Sequence, residues 1–508
     1  MCVPAYYTFY KTVAICSYSP SEIAGGRWVE IEKQAGDLCR MSVKALTDAF
    51  ASGALSPVEV ARAALDRAAE IDASLNAFTV IDEAGALAAA MASEERWRAD
   101  APLSAIDGVP TTIKDIVHCH GLDVRYGSTA THDVSGEPDA PSVKNLRDAG
   151  VVIIGLTATP EFGWKAVTDN RKDGVTRNPW NPSRTPGGSS GGAAAAAATG
   201  AGMLHLGTDG GGSIRIPAAF TGIVGHKPSF GRVAAFPPSS FGTVAHIGPM
   251  ARTVEDTALM LNAMSGRDLR DWTQSPLDYP PAELRPINWA GKRIAYWKTP
   301  CVGAVEPAIA AAIEVVLKDF ELAGASIVER ELPDQAQLLE IFYRHWYVGA
   351  ANRLASIEDS LHGTIDPGFL RVARQGQTYT AVERVKAEVQ RAQYGARMDM
   401  LLEEFDYIVS PTVPVSPFEA GHDVPVGSTL ESWVEWSSFS FPINLSQQPA
   451  CSVPCGFTPD GLPIGLQIVG ARGGDADVLS AALTYQQMYP DRFLLSGGRW
   501  PTIGQGGR

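Results

Sequence analysis

The chain has 508 residues, 45% of them hydrophobic and 19% charged, with 50 glycines and 35 prolines, a composition typical of a globular protein with many defined loops. Its 42 basic and 56 acidic side chains give a formal charge of -14, which repels nucleic-acid phosphates and anionic membrane surfaces. We therefore expect no nucleic-acid partner and no membrane association, and no apolar run is long enough to predict a transmembrane helix.

The ends and cysteines of the chain indicate its compartment. The seven cysteines, at positions 2, 16, 39, 119, 301, 451 and 455, are odd in number and scattered, which is typical of a reducing compartment. Because Lys11 interrupts the apolar residues at the start, we expect no secretory signal and a cytoplasmic location. Residues 1–40 are predicted to form a peripheral N-terminal extension, and residues 41–500 a single domain with its core motifs at about 105–255.

In chain order, the first periodic stretch is helical and is predicted to contain two or three helices. It runs from Leu46 to Ala77, with Ser56 as an N-cap and Pro57 in the first turn of its second part. Strand-like and helical segments then alternate. The predicted strands are 109–116, 151–157, 203–209, 292–297, 406–414, 450–457 and 464–470, and the later helices are 306–324 and 477–489. This alternation indicates an α/β layered fold with a largely buried sheet.

The stretch PGGSSGGAAAAAATG, residues 186–200, has three alternative interpretations. Its composition is that of a flexible spacer. Residues 187–191 also satisfy G-x-S-x-G, the nucleophile elbow of α/β-hydrolases, but that motif needs a preceding strand, and the proline-broken segment TRNPWNPSRTP cannot supply one. A glycine-rich loop that leads into a buried alanine helix fits best, since such a loop leaves backbone N–H groups free.

Two further segments have the composition of a site. GTDGGGSIRIP, residues 207–217, places three glycines before Ser213, so the main chain can direct adjacent N–H groups at one point, as an oxyanion hole requires; a tight structural turn is the alternative. VPTTIKDI, residues 109–116, places Lys114 in a buried strand, where desolvation lowers the pKa of an amine. A lysine that reaches solvent or pairs with Asp115 is the alternative there.

These three segments together resemble a known family. VPTTIKD, GGSSGG and GTDGGGSIRIPAAFTGIVGHKPS, in this order, are similar to the motifs of the amidase signature family, whose catalytic triad is Ser-cis-Ser-Lys. GPMARTVEDTALMLNAMSG and FPINLSQQPACSVPCGFTPDGLPIGLQIVG also resemble family segments, so the resemblance covers nearly all of residues 41–490. It implies an amidase-signature fold, with a large mixed and mostly buried sheet covered by helices on both faces.

The resemblance also implies a role for each motif residue. Ser213 is the expected nucleophile, Lys114 the base, and Ser189 the bridging serine, held by a cis peptide bond. The expected oxyanion-hole donors are the backbone N–H groups of Gly210, Gly211, Gly212 and Ser213. The residues expected to support the loop are Ser190, Asp209 and Arg215, the last two through a charge-assisted contact.

The substrate pocket is less closely specified. In the family, the loop before the bridging serine borders the acyl group, and here it contains Phe162, Gly163, Trp164 and Thr168. The aromatic residues of the later, more variable segment are Trp346, Trp433, Trp436 and Phe439. Aromatic walls favour an aryl or otherwise apolar substrate, and ordinary core packing is the alternative for each ring.

The leading hypothesis is a stand-alone amidohydrolase that cleaves the C–N bond of small hydrophobic or aryl amides through a serine acyl-enzyme, with carbamates and esters as further substrates. One alternative is the glutaminase subunit of a tRNA-dependent amidotransferase, against which the acidic charge counts. A catalytically inactive binding scaffold is the other, and it conflicts with the intact triad. No organic cofactor and no metal are expected, since His118 and His120 lack a third ligand. The oligomeric state stays open, with a homodimer as one alternative.

Overall fold

The computed structural model describes residues 38–274 and 279–502. Most of the predicted N-terminal extension therefore lies outside the described residues. Its last residues already pack against the domain, because Cys39 is buried and the Arg40 guanidinium lies 4.8 Å from the ring centroid of Trp500. The packed part of the chain thus begins before the predicted boundary at Met41.

Helices and strands alternate along the described chain, as predicted. The helices are α1 (Val43–Ala51), α2 (Pro57–Leu75), α3 (Glu83–Arg98), α4 (Pro141–Asp148), α5 (Gly191–Thr199), α6 (Arg215–Thr221), α7 (Val254–Met264), α8 (Pro307–Leu322), α9 (Gln335–Leu354), α10 (Pro367–Thr378), α11 (Ala381–Glu404), α12 (Trp433–Trp436), α13 (Phe441–Ser446) and α14 (Asp475–Met488). The strands are β1 (Phe78–Ile81), β2 (Pro110–Lys114), β3 (Val152–Thr157), β4 (Asp169–Asn170), β5 (Gly174–Val175), β6 (Leu204–Asp209), β7 (Val224–Lys227), β8 (His246–Ala251), β9 (Arg293–Tyr296), β10 (Ser326–Glu329), β11 (Tyr407–Pro411), β12 (Ala450–Phe457) and β13 (Pro463–Val469).

Local sequence sets the ends of the second helix. Ser56 Oγ accepts a hydrogen bond from the Val58 N–H, and the Glu59 carboxylate accepts one from the Ser56 N–H, which together form a capping box beside Pro57. The helix ends at Leu75 because Asn76 adopts a left-handed conformation, with φ 51° and ψ 55°. The predicted N-cap is confirmed, and so is the expectation of more than one helix here, since the stretch contains two helices with a break between Ala51 and Pro57.

Eleven strands form one sheet in the order β1-β3-β2-β6-β8-β7-β12-β13-β11-β9-β10, and β4 pairs with β5 in a separate ribbon. Strand β2 lies parallel to both β3 and β6, whereas β8 lies antiparallel to β6 and β7. The sheet is therefore mixed, as the resemblance implied. Because β2 and β6 are parallel neighbours, their carboxyl ends lie at the same edge of the sheet.

Hydrophobic clusters cover both faces of this sheet. Ile294 and Tyr296 of β9 belong to one cluster and Ala295 to another, as expected for side chains that alternate between faces. Helices α1, α4, α7, α8 and α14 supply the first cluster, and α6 and α9–α13 the second. Within the described ranges, no helix combines the length and the apolar character that a membrane crossing requires.

Candidate active site

Lys114 is the last residue of β2 and is completely buried. The strand PTTIK forms where β-branched residues fit a sheet covered on both faces, and all five residues are buried. The Lys114 Nζ atom lies 2.6 Å from Ser189 Oγ and 2.9 Å from Thr208 Oγ1. The predicted buried lysine is thus placed against the predicted bridging serine, 75 residues along the chain.

The environment of Lys114 favours its neutral form. Burial lowers the pKa of the amine well below its usual range, and the Asp209 carboxylate only partly opposes this shift. The alternative in which Lys114 pairs with Asp115 does not fit the structure, because Asp115 Oδ1 accepts a hydrogen bond from the Arg125 N–H at 2.8 Å. An uncharged amine in this position is able to accept a proton from a neighbouring hydroxyl group.

Ser189 lies in the glycine-rich loop just before α5, and the Gly188–Ser189 peptide bond is cis. Glycine is required at position 188, since a Cβ atom there would lie 2.5 Å from the Val167 backbone carbonyl. The helix that follows is buried along its whole length, from Gly191 to Thr199. The segment is neither a flexible spacer nor a nucleophile elbow that follows a strand. It is the predicted glycine-rich loop that leads into a buried alanine helix.

Ser190 attaches the glycine-rich loop to β6. Its hydroxyl accepts a hydrogen bond from the Thr208 N–H and donates one to the Thr208 carbonyl oxygen, both at 3.2 Å. Its backbone N–H donates to the Ser213 carbonyl oxygen, also at 3.2 Å. Thr208 was not among the predicted site residues, although its place in the GTDGGGS motif is a sequence signal that could have identified it.

Ser213 follows the carboxyl end of β6 and lines the same cavity as Ser189. Among the described residues, the backbone N–H groups of Gly210, Gly211 and Ser213 have no hydrogen-bond acceptor, and Gly210 and Ser213 line the cavity. The Gly212 N–H donates instead to Asp209 Oδ1 at 2.7 Å. We therefore correct the predicted oxyanion hole by removing Gly212 from its donors.

Asp209 and Arg215 form the predicted charge-assisted contact and are both completely buried. The Arg215 Nε and Nη2 atoms donate to the two Asp209 carboxylate oxygens at 2.9 and 3.0 Å. Burial alone would raise the pKa of Asp209, but the Arg215 guanidinium outweighs burial and holds this pKa below its usual range. The pair thus braces the loop between β6 and α6 that carries Ser213.

Two residues distant in sequence complete this brace. The Asn444 side-chain amide donates to Asp209 and accepts from Arg215 Nη2, and Gln467 Oε1 accepts from Arg215 Nη1 at 2.7 Å. Both were missed at the sequence level. They lie in the segments FPINLS and IGLQIVG, which resemble family segments but carry no charge or glycine pattern that indicates a role.

A cavity of about 200 Å³ opens onto the two serines. Its walls are largely apolar and aromatic, with Thr208, Gly210, Ser189 and Ser213 at one side. The other residues that line it are Ile116, Val117, His118, Tyr126, Ala140, Phe162, Gly163, Ala235, Phe236, Pro237, Pro238, Ser239, Ser240, Phe241, Ala245, His246, Ile247, Trp346 and Arg353.

Two of the four predicted loop residues line this cavity, and two do not. Phe162 and Gly163 line it, in a 3-10 turn at Glu161–Gly163. Trp164 is turned into the core, where its carbonyl oxygen accepts a hydrogen bond from Trp346 Nε1 at 2.9 Å. Thr168 braces the glycine-rich loop, since its hydroxyl accepts from the Gly191 N–H and donates to the Gly187 carbonyl oxygen. The pocket prediction is therefore corrected for Trp164 and Thr168.

The later aromatic residues divide in the same way. Trp346 lines the cavity and stacks on Phe241, with ring centroids 3.9 Å apart. Trp433 packs behind Trp346, at 5.5 Å between centroids. Trp436 and Phe439 lie in the core against Phe220 and Trp297, as the packing alternative anticipated.

The sequence interpretation missed one wall of the cavity and two polar residues. The segment 235–241, AFPPSSF, forms that wall, and its paired prolines between aromatic residues are the signal that could have identified it. His246 Nδ1 contacts the carbonyl oxygens of Val244 and Asp209, and burial lowers its pKa well below the usual range, which favours the neutral ring. Arg353 reaches the cavity from the last turn of α9.

The chain is similar in sequence to known proteins. The family model described as Amidase matches residues 59–479. The chain is 35% identical over 481 residues to a glutamyl-tRNA(Gln) amidotransferase subunit of Chloroflexus aggregans, covering 89% of this chain and 97% of that protein. It is 33% identical over 467 residues to an acylamidase of Rhodococcus erythropolis, covering 89% and 96%.

A solved structure is similar over most of the chain. The crystal structure of a bacterial aryl acylamidase of the amidase signature family superposes with a TM-score of 0.81 at 28% identity, covering 90% of this chain and 99% of that one. The α/β fold implied by the motif resemblance is thereby confirmed.

Proposed function

The chain belongs to the amidase signature family of amide-hydrolysing enzymes, and from this we propose that it is a stand-alone amidohydrolase of small hydrophobic or aryl amides. The observation that carries the proposal is the buried Lys114 amine 2.6 Å from Ser189 Oγ, beside a cavity that Ser213 also lines. Burial lowers the pKa of this amine, which favours the neutral form that a base needs. A base, a bridging hydroxyl and a nucleophile are the parts that acyl transfer needs.

The proposed mechanism moves one proton along the triad. Lys114 accepts a proton from Ser189 as Ser189 accepts one from Ser213, and the Ser213 oxygen attacks the amide carbonyl carbon. Among the described residues the Ser189 and Ser213 hydroxyls are not hydrogen-bonded to each other, so this second link has to tighten when substrate binds.

The backbone N–H groups of Gly210, Gly211 and Ser213 are the proposed donors to the tetrahedral oxyanion. As the C–N bond breaks, the proton returns through Ser189 to the leaving nitrogen, and water then hydrolyses the Ser213 ester by the same relay. Each oxyanion donor of this type contributes about 3–4 kcal/mol to transition-state stabilisation in serine hydrolases.

The lining of the cavity supports the substrate class. Phe162, Phe241 and Trp346 line the same cavity as the two serines, and aromatic rings favour contact with an aryl or apolar group. The volume of about 200 Å³ lies below the range of about 300–1,000 Å³ that is typical of drug-sized ligands, which supports a small substrate. Carbamates and esters undergo the same acyl chemistry and belong to the proposal as further substrates.

The glutaminase subunit of an amidotransferase is the second candidate. It is supported by the 35% identity to the amidotransferase subunit of Chloroflexus aggregans, and the same triad would release ammonia from glutamine. The formal charge of -14 favours the stand-alone enzyme, because a subunit that works beside tRNA benefits from a basic surface. A cytoplasmic location and a small-molecule substrate are common to both candidates.

A substrate panel on the purified single chain separates the candidates. The panel contains acyl p-nitroanilides, aryl carbamates, aryl esters and glutamine, with Ser213→Ala protein as the control for background hydrolysis. We expect turnover of the anilides without any added subunit. Turnover of glutamine alone, and only after partner subunits are added, would contradict the stand-alone proposal.

A further inference from the structure

Arg353 is the charged side chain of the active-site cavity that the proposed mechanism does not use. Among the described residues that line the cavity there is no aspartate, glutamate or lysine, so the Arg353 guanidinium is the strongest charge facing the substrate space. This positive group lies in a protein whose formal charge is -14. The cavity is therefore polarised opposite to the molecule as a whole.

The Arg353 guanidinium lies against two aromatic rings, and no anionic side chain of the described residues pairs with it. Its central carbon lies 4.6 Å from the ring centroid of Phe162 and 5.1 Å from that of Tyr126. Among residues 38–274 and 279–502, no carboxylate forms an ion pair with it and no acceptor receives a hydrogen bond from its N–H groups. Burial lowers the pKa of Arg353, with Tyr126 and Glu161 opposing, which reflects a cation without a close counter-ion.

The nearby carboxylate of Glu161 is engaged elsewhere. One of its oxygens accepts a hydrogen bond from the Ser128 hydroxyl and the other from the Asp366 N–H. Glu161 thus contributes to the potential at Arg353 without occupying the guanidinium donors. The planar fork of an arginine matches two carboxylate oxygens, and this one belongs to a residue that lines the cavity and lies near two of its aromatic rings.

We propose that Arg353 binds a carboxylate carried by the substrate at a distance from the scissile bond. The preferred substrates are then amides with an apolar body and one anionic end, with the apolar part against Phe162 and Trp346. This inference rests on the proposed function and narrows its substrate class. A purely structural role for Arg353, as a cation near the carboxyl end of α9, predicts no preference for anionic ligands.

Direct binding tests the proposal independently of turnover. The probes are benzoate, phenylacetate, 3-phenylpropanoate and 4-phenylbutanoate, each compared by calorimetry with the alcohol of the same chain length. For wild-type protein we expect at least one carboxylate to bind about tenfold or more tightly than its alcohol, the scale of one charge-assisted hydrogen bond. Arg353→Met should abolish that difference, and Arg353→Lys should keep only part of it because lysine lacks the fork.

An exposed arginine serves as the matched control. Arg374→Met removes one positive charge from helix α10 and should leave the carboxylate preference unchanged.

Turnover adds a second readout, in which glutaryl p-nitroanilide is compared with valeryl p-nitroanilide, and Arg353→Met should raise KM for the glutaryl substrate alone. Equal binding of acids and alcohols by wild type, or a preference that survives Arg353→Met, would overturn the inference. If no anilide is turned over while the carboxylate preference holds, the proposed function fails and the anion site stands.

Discussion

Lys114→Met is the sharpest test of the proposed relay. Methionine keeps the length and apolar stem of the side chain and removes the amine, whose contacts are the hydroxyl groups of Ser189 and Thr208. No carboxylate of the described residues pairs with Nζ, so the substitution leaves no buried charge behind. The perturbation is therefore confined to the base.

The size of the effect follows from these contacts. A positioned general base contributes about 10²–10⁴-fold to rate, and we expect kcat/KM to fall by at least about 10²-fold, or about 3 kcal/mol of transition-state stabilisation. Two hydroxyls lose a partner, at about 1–3 kcal/mol each, whereas the unfavourable burial of an amine is relieved. Because these terms oppose each other, the melting temperature should change by only a few degrees.

The assay is steady-state hydrolysis of a p-nitroanilide, with circular dichroism melting as the control for folding. Residues that act as one unit lose activity non-additively, so the double variant Lys114→Met/Ser213→Ala should be no slower than Ser213→Ala alone. Lys114→Ala should behave as Lys114→Met does. Near-full activity in a folded Lys114→Met protein, or an additive loss in the double variant, would refute the relay.

Three further predictions follow from burial and packing. Only the neutral amine of Lys114 accepts a proton, so wild-type kcat/KM should rise as the pH increases through the lowered pKa of Lys114 and should fall at acidic pH. A pH–rate profile with its optimum at about pH 5 would contradict a lysine base. Asp209→Asn leaves the completely buried Arg215 without its counter-charge and should lower the free energy of unfolding by about 3–5 kcal/mol, which is measured as a lower melting temperature. The control Asp48→Asn, at an exposed ion pair, should lower it by less than about 1 kcal/mol. Equal melting temperatures for the two variants would contradict the bracing role of Asp209. Gly192→Ala places a Cβ atom 2.4 Å from the Ala158 N and Ala77 O atoms and should destabilise the folded protein by about 1–3 kcal/mol. The control Gly395→Ala should not destabilise it, because a Cβ atom there meets no neighbouring atom of the described residues within 4 Å. Denaturant midpoints measure both variants, and a Gly192→Ala protein as stable as wild type would contradict the prediction.

The sequence predicted the central strands and the Lys114, Ser189 and Ser213 positions because each carries a local signal. Packing alone would favour an apolar residue in a buried strand and would not favour serines among runs of glycines. The lysine and the serines at these positions are therefore signals of a role other than packing. The two parallel strands β2 and β6 then bring these signals to one sheet edge. The pairing itself is long-range, and only the family resemblance supplied it at the sequence level.

Side-chain direction within a loop was not predictable in this way. Trp164 follows Phe162 and Gly163 closely in the chain, yet only the earlier two face the cavity. Phe162 and Gly163 have positive φ angles of 54° and 67°, so the chain turns between the residues that line the cavity and Trp164. The order of residues places a loop near a site, but the local backbone turn determines which of its side chains reach it.

The sequence also did not predict which single N–H groups of the glycine loop are free to act as oxyanion donors. A run of three glycines predicts free backbone donors, but it does not reveal which donor is already engaged. Asp209, at the end of β6, folds back so that its carboxylate accepts from the Gly212 and Ile214 N–H groups. That contact depends on Arg215 and Asn444 holding the carboxylate in place, and Asn444 comes from a segment more than 200 residues away.

The low complexity of PGGSSGGAAAAAATG results from close packing. Residues Ala193 to Ala198 have no exposed surface, and a Cβ atom on Gly191 would lie 2.3 Å from Thr168 Oγ1. The complete burial of Ala193 to Ala198 leaves little room there for side chains larger than alanine, and the close contact at Gly191 leaves none for a side chain at the start of the helix. The composition that predicts flexibility elsewhere thus reflects a rigid element here, one that fixes Ser189 between the base on β2 and the loop that follows β6.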